Sequence, residues 1–445
     1  MSVSALDSVG QARHRWYFFK EAFSSEVVKR ATKDAGCNAD DLIFDPFCGS
    51  GTVTLQSALD GHRSAGIEVN PFLAFVARTK LKQCSPATFE AHAEDAIRRA
   101  KRGKRSPLEG YSTFTATSDA SKWLFNVSVL RAFEAAWSGL DMCHAPEHDL
   151  IRLCLLGAAM DAANVVKDGK CLRYLRDWRE KNFDGETFTA AFEARAKCVT
   201  TDLMTAPLER PMATIKQGDV RRIAPNVLRG MKFRLCVTSP PYLNSFDYSD
   251  VYRPELFLGR WVRTTADLRA LRSKTLRSHL QIKWTAPTEN DFGARYAESL
   301  ERLKPLAPNL WNGRIPLMIQ AYFEDMRRVL KVLRQHASEE ASVWIIVSTS
   351  AYAGVEIPVD LIIADIAATS GWYLREVSVV RYLGQVAGQQ WDNLSKQKAN
   401  RPHLRESVVI LDAHPRRVDG QVAVSQFSGS LDSVLYPRER VGFPI

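Results

Sequence analysis

The chain has 445 residues, with 45% hydrophobic and 25% charged; this ordinary globular make-up excludes a disordered or collagen-like protein and leaves room for two or three structural units. Its formal charge of +10 fits a polyanionic partner such as nucleic acid, and fits a merely basic protein equally well. No apolar run reaches the ~18–20 residues of a membrane helix, Met1–Arg15 has no apolar signal core, and the eight scattered cysteines form no CxxC pair, so the expectation is a cytoplasmic protein without disulfides or a metal site.

Leu42–Asp45 is a short apolar run that ends in a Gly-rich turn. Thr52–Asp60 reads as a helix, Ala65–Glu68 as a second buried strand, and Pro71–Lys82 as a helix capped by Asn70. Strand–helix–strand alternation marks a parallel sheet covered by helices, an α/β fold. From 85 to 205 the pattern is helical, as at Leu150–Val166 and Thr187–Cys198, and reads as a helical insertion. Strand signals resume at Ala213–Gln217, Arg234–Thr238, Ser342–Val347, Leu374–Val380 and Ser407–Leu411, with a helix over Met318–Arg334. The implied organisation is a core in two parts, 1–84 and 206–412, the second holding an irregular basic segment 259–314, followed by a tail 413–445.

The first motif is Asp45-Pro46-Phe47-Cys48-Gly49-Ser50-Gly51-Thr52, between a strand and a helix. Ligands in doubly wound sheets bind at such turns. Gly49 and Gly51 permit positive φ and close approach to the backbone. No Lys follows the glycines and the spacing is not GxGxxG, so a small zwitterion suits the loop better than a phosphate. Asp45 would accept from its ammonium group. A bare GxG is also a common tight turn. Glu68, ending the next strand, stands where an acid accepts from ribose hydroxyls, and Asp219, just past Ala213–Gln217, is suited to an adenine amino group. Each alone would be an ordinary loop acid; together with the glycine loop they describe a nucleoside pocket.

The second motif, Thr238-Ser239-Pro240-Pro241-Tyr242, follows a strand directly. Two prolines stiffen the chain and remove two donors. The Ser239 hydroxyl and the Pro240 carbonyl can accept both N–H bonds of an aromatic amine and aim its lone pair at a methyl donor, while Tyr242 offers a face for stacking an extruded base. A rigid turn beside a core tyrosine would read the same way over these residues alone.

DPFCGSGT (45–52), GIEVNP (66–71), GD (218–219) and TSPPY (238–242), in this order, resemble the motif set of S-adenosylmethionine-dependent DNA amino-methyltransferases, and Leu404–Leu411 resembles their final core strand. The resemblance implies a Rossmann-like methyltransferase core with a mostly parallel seven-stranded sheet, S-adenosyl-L-methionine as cofactor, double-stranded DNA with a flipped base as substrate, and a restriction–modification or defence setting with its partner. It assigns 45–52 to the methionine side, Glu68 to the ribose, Asp219 to the adenine, and Ser239–Tyr242 to catalysis. A leading serine resembles the cytosine-N4 enzymes. Adenine-N6 methylation, RNA guanosine-N2 methylation and a non-catalytic nucleic-acid-binding subunit are the alternatives. Carbon-5 methylation needs a cysteine nucleophile, and Cys48 lies in the wrong loop for it.

Three basic stretches remain. Arg98–Arg105 reads as a solvated loop, and Lys167–Tyr174 as a solvated turn or a phosphate contact. Arg260, Arg263, Arg269, Arg272, Lys274 and Arg277, flanked by Trp261 and Trp284, lie shortly after Tyr242 and are expected to contact DNA phosphates.

Overall fold

The computed structural model describes residues 4–118, 121–140, 146–168, 171–208, 211–383, 404–415, 417–418 and 421–422; most of the expected tail lies outside them. Its centre is one sheet. The strands are β1 (Leu42–Asp45), β2 (Arg63–Glu68), β5 (Ala213–Gln217), β6 (Phe233–Thr238), β7 (Ala337–Ser348), β10 (Tyr373–Tyr382) and β11 (Arg405–Asp412), with small hairpins β3/β4 (Val165–Lys167, Leu172–Tyr174) and β8/β9 (Ser350–Tyr352, Val355–Ile357) outside it. The sheet order is β10-β11-β7-β6-β1-β2-β5. All pairs from β7 to β5 are parallel, and β11 runs antiparallel to both its neighbours. Strand order reverses between β1 and β6, so a crevice opens at their carboxyl ends, where such sheets bind ligands.

Alternate residues of each central strand serve different faces. Phe44 and Cys236 pack towards α8 (Val220–Leu228), α13 (Ile315–His336) and α14 (Val359–Thr369), while Ile43, Leu235 and Val237 meet α1 (Ser25–Ala35). Near-continuous apolar strands are what two covered faces require. The helix after β2, α3 (Pro71–Lys80), starts where expected: the Asn70 side chain accepts from Phe72 N–H at 3.0 Å, with proline at the first helical position.

Helices α4 (Pro86–Ala100), α5 (Val127–Trp137), α6 (Glu147–Asp161) and α7 (Gly185–Thr205) form a layer whose apolar faces merge with those of α3 and α10 (Arg253–Leu258) into one cluster. The pattern over Leu150–Val166 stops being helical at Asp161, because β-branched Val165 and Val166 pair with Tyr174 and Arg173 instead. Lys167 is therefore not a solvated turn residue: its ammonium is held by the Tyr17 hydroxyl at 2.7 Å and by Glu255. Arg98 and Arg99 belong to the last turns of α4, paired with Asp95, and Lys101–Arg105 form an exposed turn.

The amino end of β11 is pinned by a buried charge group. Arg405 donates to both oxygens of Asp360 at 2.9 Å and to Glu356 at 2.8 Å, and the Ser407 hydroxyl adds a bond to Asp360 at 2.7 Å. Arg405 and Asp360 are both buried. Removing one partner strands the other's charge away from water. Arg405→Met is expected to lower unfolding stability by about 3–5 kcal/mol in a denaturant titration; a loss below about 1 kcal/mol would mean that the group does not hold this strand.

Candidate active site

A cavity of about 300 Å³ lies in the crevice between β1 and β6. Its walls include Pro46, Phe47 and Gly49 from the first loop, Glu68 and Asn70 after β2, Gly218 and Asp219 after β5, and Ser239–Tyr242 after β6. The two sequence motifs thus face one space.

The first loop is set by its acids and glycines. Asp45 is 1% exposed and stands behind the wall. Its Oδ1 accepts from the Thr238 hydroxyl at 2.7 Å and from Phe47 N–H at 3.0 Å, so Asp45 ties the first loop to the Ser-Pro-Pro-Tyr segment after β6. Gly49 adopts φ +51° and Gly51 φ +86°. A Cβ on Gly51 would sit 2.8 Å from the Ala77 Cβ, so this glycine serves close packing on α3 rather than ligand approach. Ser50 and Thr52 are buried beside it. Cys48 is buried too, and burial pushes its thiol well above the usual range, which makes it a poor nucleophile.

Glu68 lines the cavity and accepts Gly49 N–H at 2.8 Å and Asn70 N–H at 2.7 Å, one on each carboxylate oxygen. Each oxygen keeps further acceptor capacity. Asp219 caps α8 through Arg221 N–H and pairs with the Arg221 guanidinium at 2.8 Å, which also reaches Asp325 at 2.7 Å. Ser239 is half-buried and Pro240 buried. The Tyr242 hydroxyl donates to Glu406 at 2.6 Å, and Arg381 donates to the other Glu406 oxygen at 2.7 Å. Burial, and then the Glu406 charge, holds the Tyr242 phenol well above its usual range, so it stays protonated.

The basic segment divides. Arg277 is buried, with Asp325 at 2.7 Å and Glu324 as partners. Arg272 is held by Asp247 at 2.5 Å and by Asp250 at 3.3 Å. These two guanidiniums are spent inside the fold and are not free for phosphate. Arg260 pairs with Glu134 at 2.6 Å and remains 44% exposed. Arg263, Arg269 and Lys274 are exposed, and Lys274 is at the cavity wall. Trp261 packs on Phe72 and Phe75, and Trp284 donates to the His279 carbonyl at 3.0 Å. The end of α11 (Thr265–Arg272) and the turn after it form a wall of the cavity through Leu271, Thr275 and Leu276. Sequence reasoning missed a role for Glu406; the one signal was the Arg405-Glu406 pair at the polar start of an apolar run.

A family model described as "UPF0020: RMKL-like, methyltransferase domain" matches residues 19–125, which include the glycine loop and Glu68. The chain is 27% identical to the Type II methyltransferase M.BsoBI of Geobacillus stearothermophilus, over 92% of this chain and 87% of that protein. It is 23% identical to the Type II methyltransferase M.AvaI of Nostoc sp., over 85% and 83% respectively. A shorter match, 28% identical over 22% of this chain and 29% of the relative, is to a tRNA (guanine(10)-N2)-dimethyltransferase of Methanothermobacter thermautotrophicus.

The sheet is a mostly parallel, Rossmann-like α/β sheet, and methyltransferase domains such as the one whose family model matches residues 19–125 use S-adenosyl-L-methionine. The residues present fit that molecule. Glu68 offers acceptors for vicinal hydroxyls, the Asn70 side-chain nitrogen is buried without a hydrogen-bond partner at the wall, and Gly49, whose φ is +51°, packs on the Phe19 ring at the cavity wall, where a Cβ would come within 3.1 Å of it. Among the described residues no helix is long and apolar enough to cross a membrane.

Burial pushes Asp45 up to about 7, with the Glu68 charge adding to the shift, and pushes Glu68 up to about 7 against the pull of the backbone donors of Asn70, Gly49 and Val69. The folded chain then keeps protons that the unfolded chain has lost, so these groups withdraw stability as pH rises from about 4 to about 7. Asp45→Asn retains an acceptor for Thr238 and removes that titration. Its melting temperature, relative to wild type and without ligand, should therefore climb between about pH 4 and pH 7; a difference that does not change with pH would contradict the assignment.

Proposed function

We propose that the chain is an S-adenosylmethionine-dependent DNA methyltransferase that acts on the exocyclic amine of an extruded base, cytosine N4 in the first instance. The observation that carries this reading is the shared cavity, which brings Gly49 and Glu68 opposite Ser239, Pro240 and Tyr242. The relatives from Geobacillus and Nostoc, each aligned over more than four-fifths of the chain, are named Type II methyltransferases, which supports DNA as substrate and a restriction–modification setting. The RNA reading draws on a relative aligned to 22% of the chain and is the weaker of the two.

Pro46, Phe47, Gly49, Glu68, Asn70 and Asp219 would hold the cofactor, which supplies a methyl group on a positively charged sulfur. The chain's own part is to present the amine. An amino group on a cytosine or adenine ring shares its lone pair with the ring and is a poor nucleophile. The Ser239 hydroxyl oxygen accepts one of its N–H bonds and the Pro240 carbonyl the other, which favours a tetrahedral nitrogen with its lone pair directed across the cavity. Tyr242 stacks on the base, a contact of about 1–3 kcal/mol. Positioning and electrostatics account for the rate, and no strong base is required. The surplus proton leaves through the Ser239 oxygen towards solvent. Buried, protonated Cys48 supports an amine rather than carbon 5 as the acceptor. Arg263, Arg269 and Lys274 would meet the DNA backbone beside the cavity.

Incubation with isotope-labelled cofactor and separate DNA and RNA, followed by nucleoside mass spectrometry, should put the label on N4-methylcytosine in DNA. Label on N6-methyladenine would correct the base, and label on RNA alone would overturn the reading. Ser239→Ala and Tyr242→Ala should lower turnover by at least about 100-fold while cofactor affinity stays within about threefold; loss of cofactor binding in both would mean that the corner is misassigned. Arg263→Glu with Arg269→Glu should weaken DNA binding and flatten its log–log salt dependence by about 0.9 per lost phosphate contact. An unchanged slope would remove this segment from the interface.

A further inference from the structure

The pair Glu406 and Arg381 has no part in the chemistry described above, yet both line the cavity. They are directly opposed across the antiparallel β10–β11 pair, and Glu406 is opposed to Ser348 of β7 on its other side. Glu406 is nearly buried, and each of its oxygens has one strong donor: the Tyr242 hydroxyl at 2.6 Å and Arg381 Nε at 2.7 Å. Its neighbour Arg405 is locked to Asp360 and Glu356, so the backbone carrying Glu406 is fixed from below. The phenolic oxygen of a tyrosine lies on the axis of its second torsion, so a hydrogen bond there fixes the long axis of the ring through the first torsion, and the preference of the O–H for the ring plane lets the same bond bias the second. An acceptor carrying full charge makes that bond stronger than a neutral one.

We propose that Glu406 is a positioning residue for base recognition: it holds the Tyr242 ring at the place where the extruded aromatic base stacks, with Arg381 holding Glu406 in turn. This rests on the methyltransferase reading and adds to it a group outside both sequence motifs. The phenol is then a handle for orientation and not an acid or base. The prediction is unusual for a stacking residue: removing only its hydroxyl should matter.

The test is a double-mutant cycle on Glu406→Ala and Tyr242→Phe, measuring turnover at saturating cofactor and DNA, with the fluorescence of 2-aminopurine at the target position as a second readout. Each single variant should lose about 10- to 100-fold in turnover with cofactor affinity unchanged. The double variant should be no slower than the slower single one, because one bond is lost in each case. Glu406→Gln, which still accepts from the phenol, should recover most of the loss. Each variant should also alter the 2-aminopurine signal, which reports stacking of the extruded base. A Tyr242→Phe enzyme as fast as wild type would overturn the proposal. So would losses that multiply in the double variant, the outcome expected if Glu406 only supports its strand. Wild-type protein that methylates no nucleic acid would instead refute the methyltransferase reading, and the two failures are thereby distinct.

Discussion

One hydrogen bond joins the two halves of the site. The Thr238 hydroxyl donates to Asp45 at 2.7 Å, across the carboxyl ends of the adjacent parallel strands β1 and β6. It lies at the point where strand order reverses, the place in a doubly wound sheet where a crevice has to form. With Asp45 and Thr238 both buried, the bond is sheltered from water and competes with no solvent. It fixes the start of the glycine loop and the start of the Ser-Pro-Pro-Tyr corner to one another. The distance between the two loops, and with it any transfer between their occupants, depends on this contact.

The rest of the molecule braces that junction. Phe44 and Cys236 anchor β1 and β6 on one face, and Ile43, Leu235 and Val237 on the other. On the far side, the Arg405–Asp360 group sets β11 and so sets Glu406 against Tyr242. Beyond Asp219, Arg221 and Arg277 converge on Asp325 and tie the turn after α11 to α13. Two sets of buried charges therefore flank the site, each paired within the fold. Paired buried charges add little net stability but punish misplacement heavily, which suits a site whose geometry must not drift.

The sheet was legible in the sequence because its strands are short apolar runs bounded by turns. All seven runs from Leu42–Asp45 to Ser407–Leu411 became strands, two with the bounds the pattern indicated and five longer by one to six residues. The charged stretch at the start of β7, with Glu339 and Glu340 exposed, hid its first turn of pairing. The loop acids were legible because each sits at a strand end. What composition could not reveal was how charges are spent. Arg272 and Arg277 share a basic segment with Arg263 and Arg269, yet the first two face carboxylates from distant parts of the chain and the last two face solvent. Asp45 looked like a ligand group and is a cross-strand tie. Glu406 lies 164 positions from Tyr242, and no local pattern connects them.

The central claim is that one crevice receives both the sulfonium compound and the target base. A crystal structure of the protein with S-adenosylhomocysteine and a DNA duplex addresses it most directly. The account predicts the nucleoside between Glu68 and Asp219, its sulfur pointing at a base stacked on Tyr242, with the base's amino group on the Ser239 oxygen. Cofactor product and base found in separate cavities, or a base still paired in the helix at a closed Ser239 corner, would contradict it.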